Sequence, residues 1–390
     1  MRPMDSRLPA VASPILDVYP LLPFEPVSAE GVHLFTSDGR TILDLYGGHA
    51  VASLGYGHPQ VVEALTRQAK DLTFQSNVVP LKIRERAAKR LLSLAPDELE
   101  QVFFVNSGAE ANENALRLAF LGSKRRKVAA VEHGFHGRTA AAAAVTWGSE
   151  KWYAFPEKPF PVSFIPQNAI EGLDAVIDED TAAVIVEPVQ GMAGAFDLGA
   201  EFLKALRARC DETGTVLIFD EVQCGVGRTG FGFAADRVDV VPDILTTAKS
   251  VAAGFPVGAV LVTAAIARVA PRGSLGTTFG GGPMACALVE TVIDTIESEG
   301  LLQHVRNVSS TIRSTCVVGP VTSIRGAGFL LGLVCNRPAA EVRNALLEQD
   351  ILVGTSADPN VVRLLPPLNL PERHVAELAH ALASCTASTT

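Results

Sequence analysis

One lysine in the second half of the chain is set apart by its neighbours. Lys249 lies in the stretch TTAKSVAAGFPVGAV and is the only charged residue between Asp243 and Arg268. Most lysines in such surroundings lie at a surface, with the aliphatic stem crossing an apolar patch. Burial would instead lower the pKa of the amine and make it a nucleophile, as the formation of a Schiff base requires. Lys249 is therefore a candidate catalytic residue.

Two acidic residues end a predicted buried strand. The apolar run 216–219 is followed directly by Asp220 and Glu221. A buried carboxylate is costly unless a partner stabilises it, and one of this pair is expected to cap the following turn. The other could face a cationic ring nitrogen, because pyridoxal phosphate needs a carboxylate that keeps its pyridine nitrogen protonated. Asp220 has the right position for that role.

A strand–helix junction offers a site for an anion. The stretch FFVNSGAEANENA predicts a strand, an Asn-Ser-Gly turn and a helix, with Ser107 and Glu110 as a capping box. Gly108 would let a ligand approach the backbone, and the free N–H groups of a helix N-terminus favour a phosphate. An ordinary capped helix without a ligand is the alternative.

The stretch EHGFHGRT carries several groups that could contact a ligand. His133 and His136 could bind a metal, but we expect no metal site because no third ligand is evident. Phe135 could present a flat face to an aromatic ring, and Arg138 a bidentate fork to a carboxylate. A plain surface arginine is the alternative for Arg138.

Two glycine-rich stretches differ in what they indicate. The segment 225–230, GVGRTG, matches a dinucleotide-binding pattern, but it does not follow its strand directly and no suitable helix or acidic residue comes after it. We therefore expect no nicotinamide or flavin site there. In GSLGTTFGGGP, Thr277 and Thr278 could donate hydroxyl groups to a phosphate, or the stretch could be a tight turn without a ligand.

Composition limits the class of protein. The chain has 390 residues, is 48% hydrophobic and 19% charged, and carries a net charge of −9. These values favour a globular protein of more than one domain and argue against a surface for nucleic acid or anionic membranes. The 6 scattered cysteines favour reduced thiols in a cytoplasmic protein. We expect no signal peptide and no membrane span.

The elements that must position these residues alternate between helices and strands. From residue 59 onward, amphipathic helices separate short aliphatic strands, which predicts an α/β fold with a mostly parallel sheet covered on both faces. Residues 1–30 are expected to be irregular, and a hairpin with its turn at Asp38-Gly39 should follow. Ligands of such sheets lie beyond the carboxyl ends of the strands. The segments expected around that crevice are 106–108, 187–188, 220–221 and Lys249.

We expect the chain to form a large and a small domain. An N-terminal segment, residues 1–58, would contribute to the small domain and to the substrate mouth. Residues 59–280 would form the large domain, which holds the crevice. Residues 281–390 would form the rest of the small domain, of α+β type.

Taken together, these stretches resemble the class III pyridoxal-phosphate-dependent aminotransferases of fold type I, and among them the acetylornithine and N-succinylornithine branch. The likeness runs from about residue 30 to 380 and rests on short motifs in a fixed order, each of them weak alone. They are NSGAEANENA, FHGRT, VEPVQG, LIFDEVQCGVGRTG, PDILTTAKSVAAGFPVGAV, GTTFGGGPMACA and RGAGFLLGL.

The resemblance implies a set of cofactor contacts. Lys249 would bind pyridoxal phosphate covalently and move a proton to and from the substrate, while Asp220 would face the pyridine nitrogen and Phe135 would stack on the ring. The other implied contacts are Glu187, Gln223 near the ring hydroxyl, Ser107, Gly108 and Ala109 at the phosphate, and Thr278 of the partner subunit. The active site would therefore lie at the interface of a homodimer.

The resemblance also implies how substrates bind. Arg138 and Arg363 would bind carboxylates, with Thr277 of the partner subunit and His49 close to the substrate. The implied reaction removes the terminal amino group of an N-acylated ornithine, N-acetylornithine above all, in arginine biosynthesis. 2-Oxoglutarate would then accept the amino group and leave as glutamate.

Departures from the family pattern bear on the identity of the donor. Met192 stands where the family has a glutamate that masks the arginine matching Arg363, so Arg363 is expected to stay exposed. Gly282 replaces an asparagine near the implied dimer interface. His49 could provide a cation or a hydrogen-bond donor for an extra carboxylate, which makes N-succinylornithine a rival donor.

Other functions stay open at this point. The donor could be another ω-amine, such as 4-aminobutyrate or a carrier-bound lysine, or the enzyme could be an aminomutase. The chain could also be a catalytically silent dimer with a regulatory role, although Lys249 and Asp220 are both present. A nucleotide-binding oxidoreductase is the remaining alternative, and binding of a nicotinamide cofactor would support it.

Overall fold

The computed structural model describes residues 14–385, whose strands form a seven-stranded sheet, two four-stranded sheets and a two-stranded ribbon. In chain order the strands are β1 (Pro26–Glu30), β2 (His33–Thr36), β3 (Thr41–Asp44), β4 (Leu99–Val105), β5 (Lys127–Val131), β6 (Val162–Ile165), β7 (Thr181–Val186), β8 (Val189–Gln190), β9 (Phe196–Asp197), β10 (Val216–Asp220), β11 (Ile244–Thr247), β12 (Gly258–Thr263), β13 (Val321–Ala327), β14 (Leu330–Cys335), β15 (Ile351–Leu352), β16 (Gly354–Thr355) and β17 (Val361–Leu364).

Helices cover the sheets on both sides. In chain order they are α1 (Gly47–Ala50), α2 (Pro59–Asp71), α3 (Lys82–Leu92), α4 (Gly108–Gly122), α5 (Ala140–Ala144), α6 (Leu173–Val176), α7 (Ala200–Thr213), α8 (Ala234–Val238), α9 (Ala264–Val269), α10 (Pro283–Ser298), α11 (Leu301–Thr315), α12 (Ala339–Leu347) and α13 (Arg373–Ser384). Short 3-10 turns lie at Ser149–Lys151 and Lys249–Ala252. Within residues 14–385, none of the helices has the length and apolar character needed to cross a membrane.

The seven-stranded sheet confirms the predicted mostly parallel α/β architecture. Its strand order is β4-β12-β11-β10-β7-β5-β6, and the pairs from β11 to β6 are all parallel. Only β12 runs antiparallel to its two neighbours, so β4 points in the same direction as β10 and β11. Every residue of β7 is buried, as expected for a strand that helices cover on both faces.

This strand direction brings the predicted segments to one edge of the sheet. Ser107 follows β4, Glu187 follows β7, Asp220 ends β10, and Lys249 comes shortly after β11. The carboxyl ends of all of these strands meet at the same edge, where ligands of open α/β sheets bind. The crevice predicted from the sequence is therefore present.

The N-terminal part differs from the prediction at one strand. The hairpin of β2 and β3 is confirmed, with Gly39 in its turn at a φ of 86°. Residues 1–30 were expected to be irregular, but β1 is a strand paired antiparallel with β2. It forms because β2 offers a free edge, which the proline-rich composition of the segment does not reveal. Residues 1–13 lie outside the described part of the chain.

The C-terminal part connects back to the N-terminal hairpin. Strand β15 pairs in parallel with β3. In the chain, β15 lies between the strands that form the sheet β13-β14-β17-β16. Helix α10 packs on α2 and α3, and the ion pair between Arg86 and Glu290 joins α3 to α10 at 2.8 Å. The domain bounds expected from the sequence remain a prediction.

Glu221 caps helix α8, and not the turn directly after β10 that one of the two acidic residues was expected to cap. Its buried carboxylate accepts hydrogen bonds from the backbone N–H groups of Ala234 (2.5 Å) and Ala235 (2.8 Å), at the start of α8. Burial raises the pKa of Glu221 to about 8. The adjacent Asp220 accepts from the backbone N–H of Val222 (3.0 Å), so Asp220 has the turn-capping role that was expected of one of the pair.

Removing the Glu221 carboxylate should destabilise the protein. We expect Glu221→Ala to cost about 2–3 kcal/mol, because two buried N–H groups lose their acceptor. Thermal unfolding followed by circular dichroism measures this. The matched control is Glu212→Ala on the surface of α7, where the glutamate makes only an exposed ion pair with Arg209 and its loss should cost under about 0.5 kcal/mol. Equal losses would contradict the capping role.

The same variant tests the pH dependence of stability. Because burial raises the pKa of Glu221 from 4.5 to about 8, the folded state binds more protons than the unfolded state between these values. The contribution of Glu221 should therefore fall as the pH rises from 4.5 to 8. The difference in Tm between wild type and Glu221→Ala should shrink across that window, and a constant difference would refute the assignment.

Candidate active site

A cavity of about 540 Å³ lies at the carboxyl edge of the large sheet. It brings together seven of the residues predicted from the sequence to form the site. They are Ser107, Gly108, Ala109, Phe135, Arg138, Asp220 and Lys249. The remaining predicted residues do not line this cavity: they are His49, Glu187, Gln223, Thr277, Thr278 and Arg363.

Asp220 is held in a fixed orientation by several donors. Its Oδ2 accepts hydrogen bonds from Asn112 Nδ2 (2.7 Å) and His136 Nδ1 (2.8 Å), and its Oδ1 accepts from the backbone N–H of Val222 (3.0 Å). Asp220 is only 2% exposed. A carboxylate in this setting stays buried because neighbouring donors replace its water.

Asn112 and His136 contact Asp220, and the sequence analysis did not identify either of them in this role. Asn112 also donates to the carbonyl oxygen of His136 (2.7 Å) and accepts from Thr246 Oγ1 (2.7 Å), so it links α4 to β11. A signal was present, because Asn112 is a polar residue on the mostly apolar buried face of α4. His136 was considered only as a metal ligand, and its ring binds Asp220 instead.

Lys249 sits on a strained turn that other residues secure. Its φ is 32°, in the left-handed region that residues other than glycine rarely adopt. Ser250 Oγ donates to the carbonyl oxygen of Ala50 (2.9 Å), and Ser53 Oγ donates to that of Ser250 (2.7 Å). These bonds fix the backbone that carries the lysine.

The environment of Lys249 favours a neutral amine. Its pKa is lowered from the ordinary value, chiefly by burial and to a smaller degree by Arg363. The negative charges of Asp220 and Glu187 act in the opposite direction. A larger fraction of nucleophilic amine is therefore available than for an ordinary lysine.

The start of α4 forms the predicted cradle for an anion. Ser107 Oγ accepts from the backbone N–H of Glu110 (3.1 Å), as the capping box predicts. In a capping box, the glutamate side chain accepts from the N–H of the N-cap residue, which here is Ser107. The Glu110 carboxylate instead accepts from the N–H of Asn106 (2.8 Å), one residue earlier. A side chain at Gly108 would place its Cβ 2.6 Å from Val222, so only glycine leaves the cradle intact.

Glu187 binds the backbone of the loop that carries Phe135. Its buried carboxylate accepts from the backbone N–H groups of Phe135 (2.8 Å) and Gly191 (3.2 Å). Burial, followed by the nearby charge of Asp220, raises the pKa of Glu187 to about 7. Glu187 thus fixes the loop that presents the Phe135 ring to the cavity.

Arg363 is buried, which corrects the expectation that it stays exposed. The residue is 1% exposed, and its guanidinium donates to the carbonyl oxygens of Thr355 (2.8 Å) and Gly191 (3.3 Å) and to Gln223 Oε1 (3.2 Å). These uncharged oxygens bind the guanidinium, whereas the family pattern has a glutamate carboxylate at the position of Met192. Within residues 14–385, no carboxylate lies at ion-pair distance from Arg363, so its charge has no ion-pair partner there.

His49 lies beside this arginine. Its Nδ1 is 2.5 Å from the hydroxyl oxygen of Tyr46, whose ring centroid is 5.9 Å from the Arg363 guanidinium carbon. Although His49 is an exposed residue, desolvation of its ring, followed by the positive charges of Arg363 and Lys249, lowers its pKa to about 4. His49 is therefore neutral near pH 7 and can offer a hydrogen bond but not a charge.

The threonine loop is linked to its own subunit on one side and open on the other. Thr277 Oγ1 accepts from Asn106 Nδ2 (3.1 Å) and from the N–H of Gly280 (3.2 Å). Thr278 is exposed, as is Phe279 at 66%. The expected contacts of both threonines with a partner subunit remain predictions.

Comparison with known proteins decides what kind of site this is. The family described as aminotransferase class-III matches residues 18–386. The chain belongs to the class-III aminotransferases. A relative named acetylornithine aminotransferase, from Streptomyces coelicolor, is 42% identical over 368 residues, which cover 93% of this chain and 90% of the relative. Another of that name, from Methanocaldococcus jannaschii, is 36% identical over 381 residues, or 94% of each chain.

Solved structures agree with this assignment. Ornithine aminotransferase from Toxoplasma gondii ME49 matches with a TM-score of 0.89 at 27% identity, over 95% of this chain and 92% of that one. Acetylornithine aminotransferase from Elizabethkingia anophelis matches with a TM-score of 0.84 at 30% identity, over 95% of each chain. The predicted fold type I architecture of pyridoxal-phosphate enzymes is confirmed.

Class-III aminotransferases use pyridoxal phosphate, and the residues of this cavity fit that cofactor. The first turn of α4 offers unpaired N–H groups to a phosphate, and the glycine at its start keeps the approach open. Asp220 would supply the carboxylate for a cationic ring nitrogen, and Lys249 would supply an amine for the aldehyde. These residues are predicted to hold the cofactor, with Phe135 against its ring.

The hydrogen bond from Asn112 to Asp220 should matter for the reaction. We expect Asn112→Ala to lower kcat about tenfold, because Asp220 loses the donor that orients it. Asn114→Ala is the matched control: this buried asparagine of the same helix donates to the carbonyl oxygen of Glu110 (2.8 Å). Steady-state kinetics and Tm should be measured for both variants. A similar loss of kcat in the two would contradict a specific role for Asn112.

Proposed function

We propose that this aminotransferase moves the terminal amino group of N-acetylornithine to 2-oxoglutarate, giving glutamate and the N-acetylated glutamate semialdehyde. The observation that carries the reaction type is the placement of Lys249, Asp220 and the α4 N-terminus around one cavity. The donor is supported by full-length relatives named acetylornithine aminotransferase, up to 42% identical over 93% of the chain.

The chain positions and protects the reacting groups. Pyridoxal phosphate, when bound, supplies the electron sink that stabilises negative charge on the carbon bearing the amine. Ser107, Gly108 and Ala109 would hold its phosphate through backbone N–H groups. Asp220, oriented by Asn112, would keep the proton on the ring nitrogen.

Lys249 would move the proton. Its lowered pKa leaves the amine neutral more often, so Nζ can accept a proton from the carbon that bears the donor's amino group. The protonated amine would give that proton up again within the same half-reaction, and in the second half-reaction the transfers would run in the opposite direction. The strained turn that carries Lys249 fixes Nζ in the cavity for both transfers.

Two arginines would bind the carboxylates of the substrates. N-acetylornithine has one carboxylate and a neutral acetamide, whereas 2-oxoglutarate has two carboxylates. Arg138 lines the cavity, and Arg363 lies behind Gln223 with only neutral acceptors around it. The site therefore has a cation for each end of the acceptor, and the donor needs only one of them.

His49 bears on the choice between acetyl and succinyl donors. A succinyl group would bring a second carboxylate, for which a cation is the best partner. His49 has its pKa lowered to about 4, so it carries no charge near pH 7. His49 therefore adds no cation for a succinyl carboxylate to those of Arg138 and Arg363.

A homodimer in the cytoplasm completes the proposal. Phe74 and Phe279 lie 5.4 Å apart, ring centroid to ring centroid, and are 40% and 66% exposed. They line a groove beside the exposed Thr278, which supports a subunit contact at this loop. All 6 cysteines are free and buried, which is consistent with a reducing compartment.

Glutamate production from a panel of donors tests the proposal. We expect the kcat/KM of N-acetylornithine to exceed those of N-succinylornithine, 4-aminobutyrate and ornithine, with 2-oxoglutarate as acceptor. Lys249→Ala should lose activity by about a thousandfold or more, since it removes the amine that moves the proton. Light scattering on the same preparation should give the mass of a dimer. A higher kcat/KM for any other donor would overturn the donor assignment.

The neutral surroundings of Arg363 give a second test, at Met192. Met192 follows Gly191, whose carbonyl oxygen accepts from Arg363. A carboxylate introduced by Met192→Glu should pair with Arg363 and compete with substrate carboxylates. We expect the ratio of kcat/KM for glutamate and N-acetylornithine to change about tenfold, the size of a charge-assisted hydrogen bond.

The control is Met192→Gln, which has the same shape without the charge. It should leave the ratio within about twofold of wild type, and the Tm of both variants should change little because residue 192 is only partly buried. Equal effects of Met192→Glu on both half-reactions would contradict the proposed role of Arg363 in binding substrate carboxylates.

A further inference from the structure

Arg138 is held by an aromatic ring and not by an acid. Its guanidinium carbon lies 4.5 Å from the centroid of the Trp152 ring. Across residues 14–385, the Arg138 side chain has no hydrogen-bond or ion-pair partner, although it lines the cavity that holds Lys249. The indole face is therefore the one group that restrains this cation.

The position of Trp152 is fixed by a run of alanines. Trp152 packs against the cluster formed by Ala143, Ala144 and Tyr153, and its backbone N–H donates to the carbonyl oxygen of Ser149 (2.9 Å). The small side chains of α5 let the indole lie close to the helix. The alanine-rich helix α5 thus forms a surface on which the indole ring packs.

The backbone of Arg138 is fixed from the other side. Gly137 adopts a φ of 136°, and a Cβ there would lie 2.7 Å from that of Ala109. After Arg138, the helix α5 is capped by Glu113, which accepts from the backbone N–H of Ala141 (2.7 Å). The main chain is therefore rigid, and the reach of Arg138 depends on its side-chain rotamer.

We propose that Trp152 is a positioning residue that sets the affinity of this aminotransferase for donors bearing a carboxylate. The inference rests on the proposed function, in which Arg138 binds such a carboxylate. A cation over an indole face is attracted by the ring quadrupole, which narrows its rotamers. The interaction uses none of the five N–H donors of the guanidinium, so all of them remain for the ligand.

An acidic residue could not restrain Arg138 and also leave its N–H donors free. A carboxylate beside Arg138 would also hold the side chain, but it would neutralise the charge and occupy the fork that a substrate needs. Trp152 restrains the cation and leaves its charge intact. Its contribution should be confined to ligands with a carboxylate, and the chemistry at Lys249 should not depend on it.

Steady-state kinetics on the holoenzyme tests this. We expect Trp152→Leu to raise the KM for N-acetylornithine about three- to tenfold, with kcat within about twofold, because only ground-state positioning is lost. The KM for N-acetylputrescine, the same amine without the carboxylate, should be unchanged. Trp152→Phe should restore most of the affinity, since a ring face is retained. Trp147→Leu, which removes the other tryptophan and not the contact with Arg138, is the matched control.

The Arg138→Gln variant separates the carboxylate-binding role of Arg138 from the positioning role of Trp152. If Trp152 acts through Arg138, Trp152→Leu should raise KM no further in an Arg138→Gln background. An Arg138→Gln enzyme with unchanged KM would overturn the carboxylate role of Arg138, and with it the proposed substrate contact. A raised KM in Arg138→Gln but not in Trp152→Leu would overturn the role of Trp152 alone.

Fluorescence supplies a readout that does not need turnover. The chain has 2 tryptophans, so the Trp147→Phe holoenzyme reports on Trp152 alone. Glutarate, a dicarboxylate that cannot react, should change its emission in a saturable way as it binds Arg138. The same titration in a Trp147→Phe/Arg138→Gln enzyme should show no such change. An emission that glutarate does not alter in Trp147→Phe would overturn the proposal.

Discussion

The structure depends on keeping one carboxylate buried and correctly turned at the carboxyl end of β10. Asp220 is 2% exposed, and it stays so because Asn112, His136 and the N–H of Val222 replace water as its donors. Those three groups come from α4, from the loop after β5 and from the turn after β10. The large sheet, helix α4 and the loops after β5 and β10 must therefore all be correctly placed for the site to exist.

The lysine and arginine side chains at or near the cavity form no ion pairs with acidic residues of the described chain. Lys249 keeps an available amine because burial lowers its pKa, and Arg363 is satisfied by an amide and carbonyl oxygens. Arg138 rests on an indole face. For the two arginines, the common result is a positive charge without an ion-pair partner among residues 14–385, which suits an enzyme whose proposed acceptor carries two carboxylates and whose proposed donor carries one.

The sequence predicted what depends on local pattern. Strand and helix periodicity gave the mostly parallel sheet and the shared crevice, and capping chemistry gave Ser107 and an acidic cap for the turn after β10. It did not reveal Asn112 or His136, because their roles arise from contacts between residues far apart in the chain. It was wrong about the exposure of Arg363, since a residue type cannot show that neutral acceptors replace a missing acid. The domain bounds and the subunit contacts of Thr277 and Thr278 remain predictions.

The near-visible absorption spectrum of the purified protein tests the central claim most directly, because it reports the pairing of Lys249 and Asp220 with pyridoxal phosphate. The account predicts an absorption band of lysine-bound cofactor that N-acetylornithine abolishes as the cofactor takes up the amino group, and that 2-oxoglutarate restores. A protein that develops no such band, even after pyridoxal phosphate is added, would contradict the roles assigned to both residues.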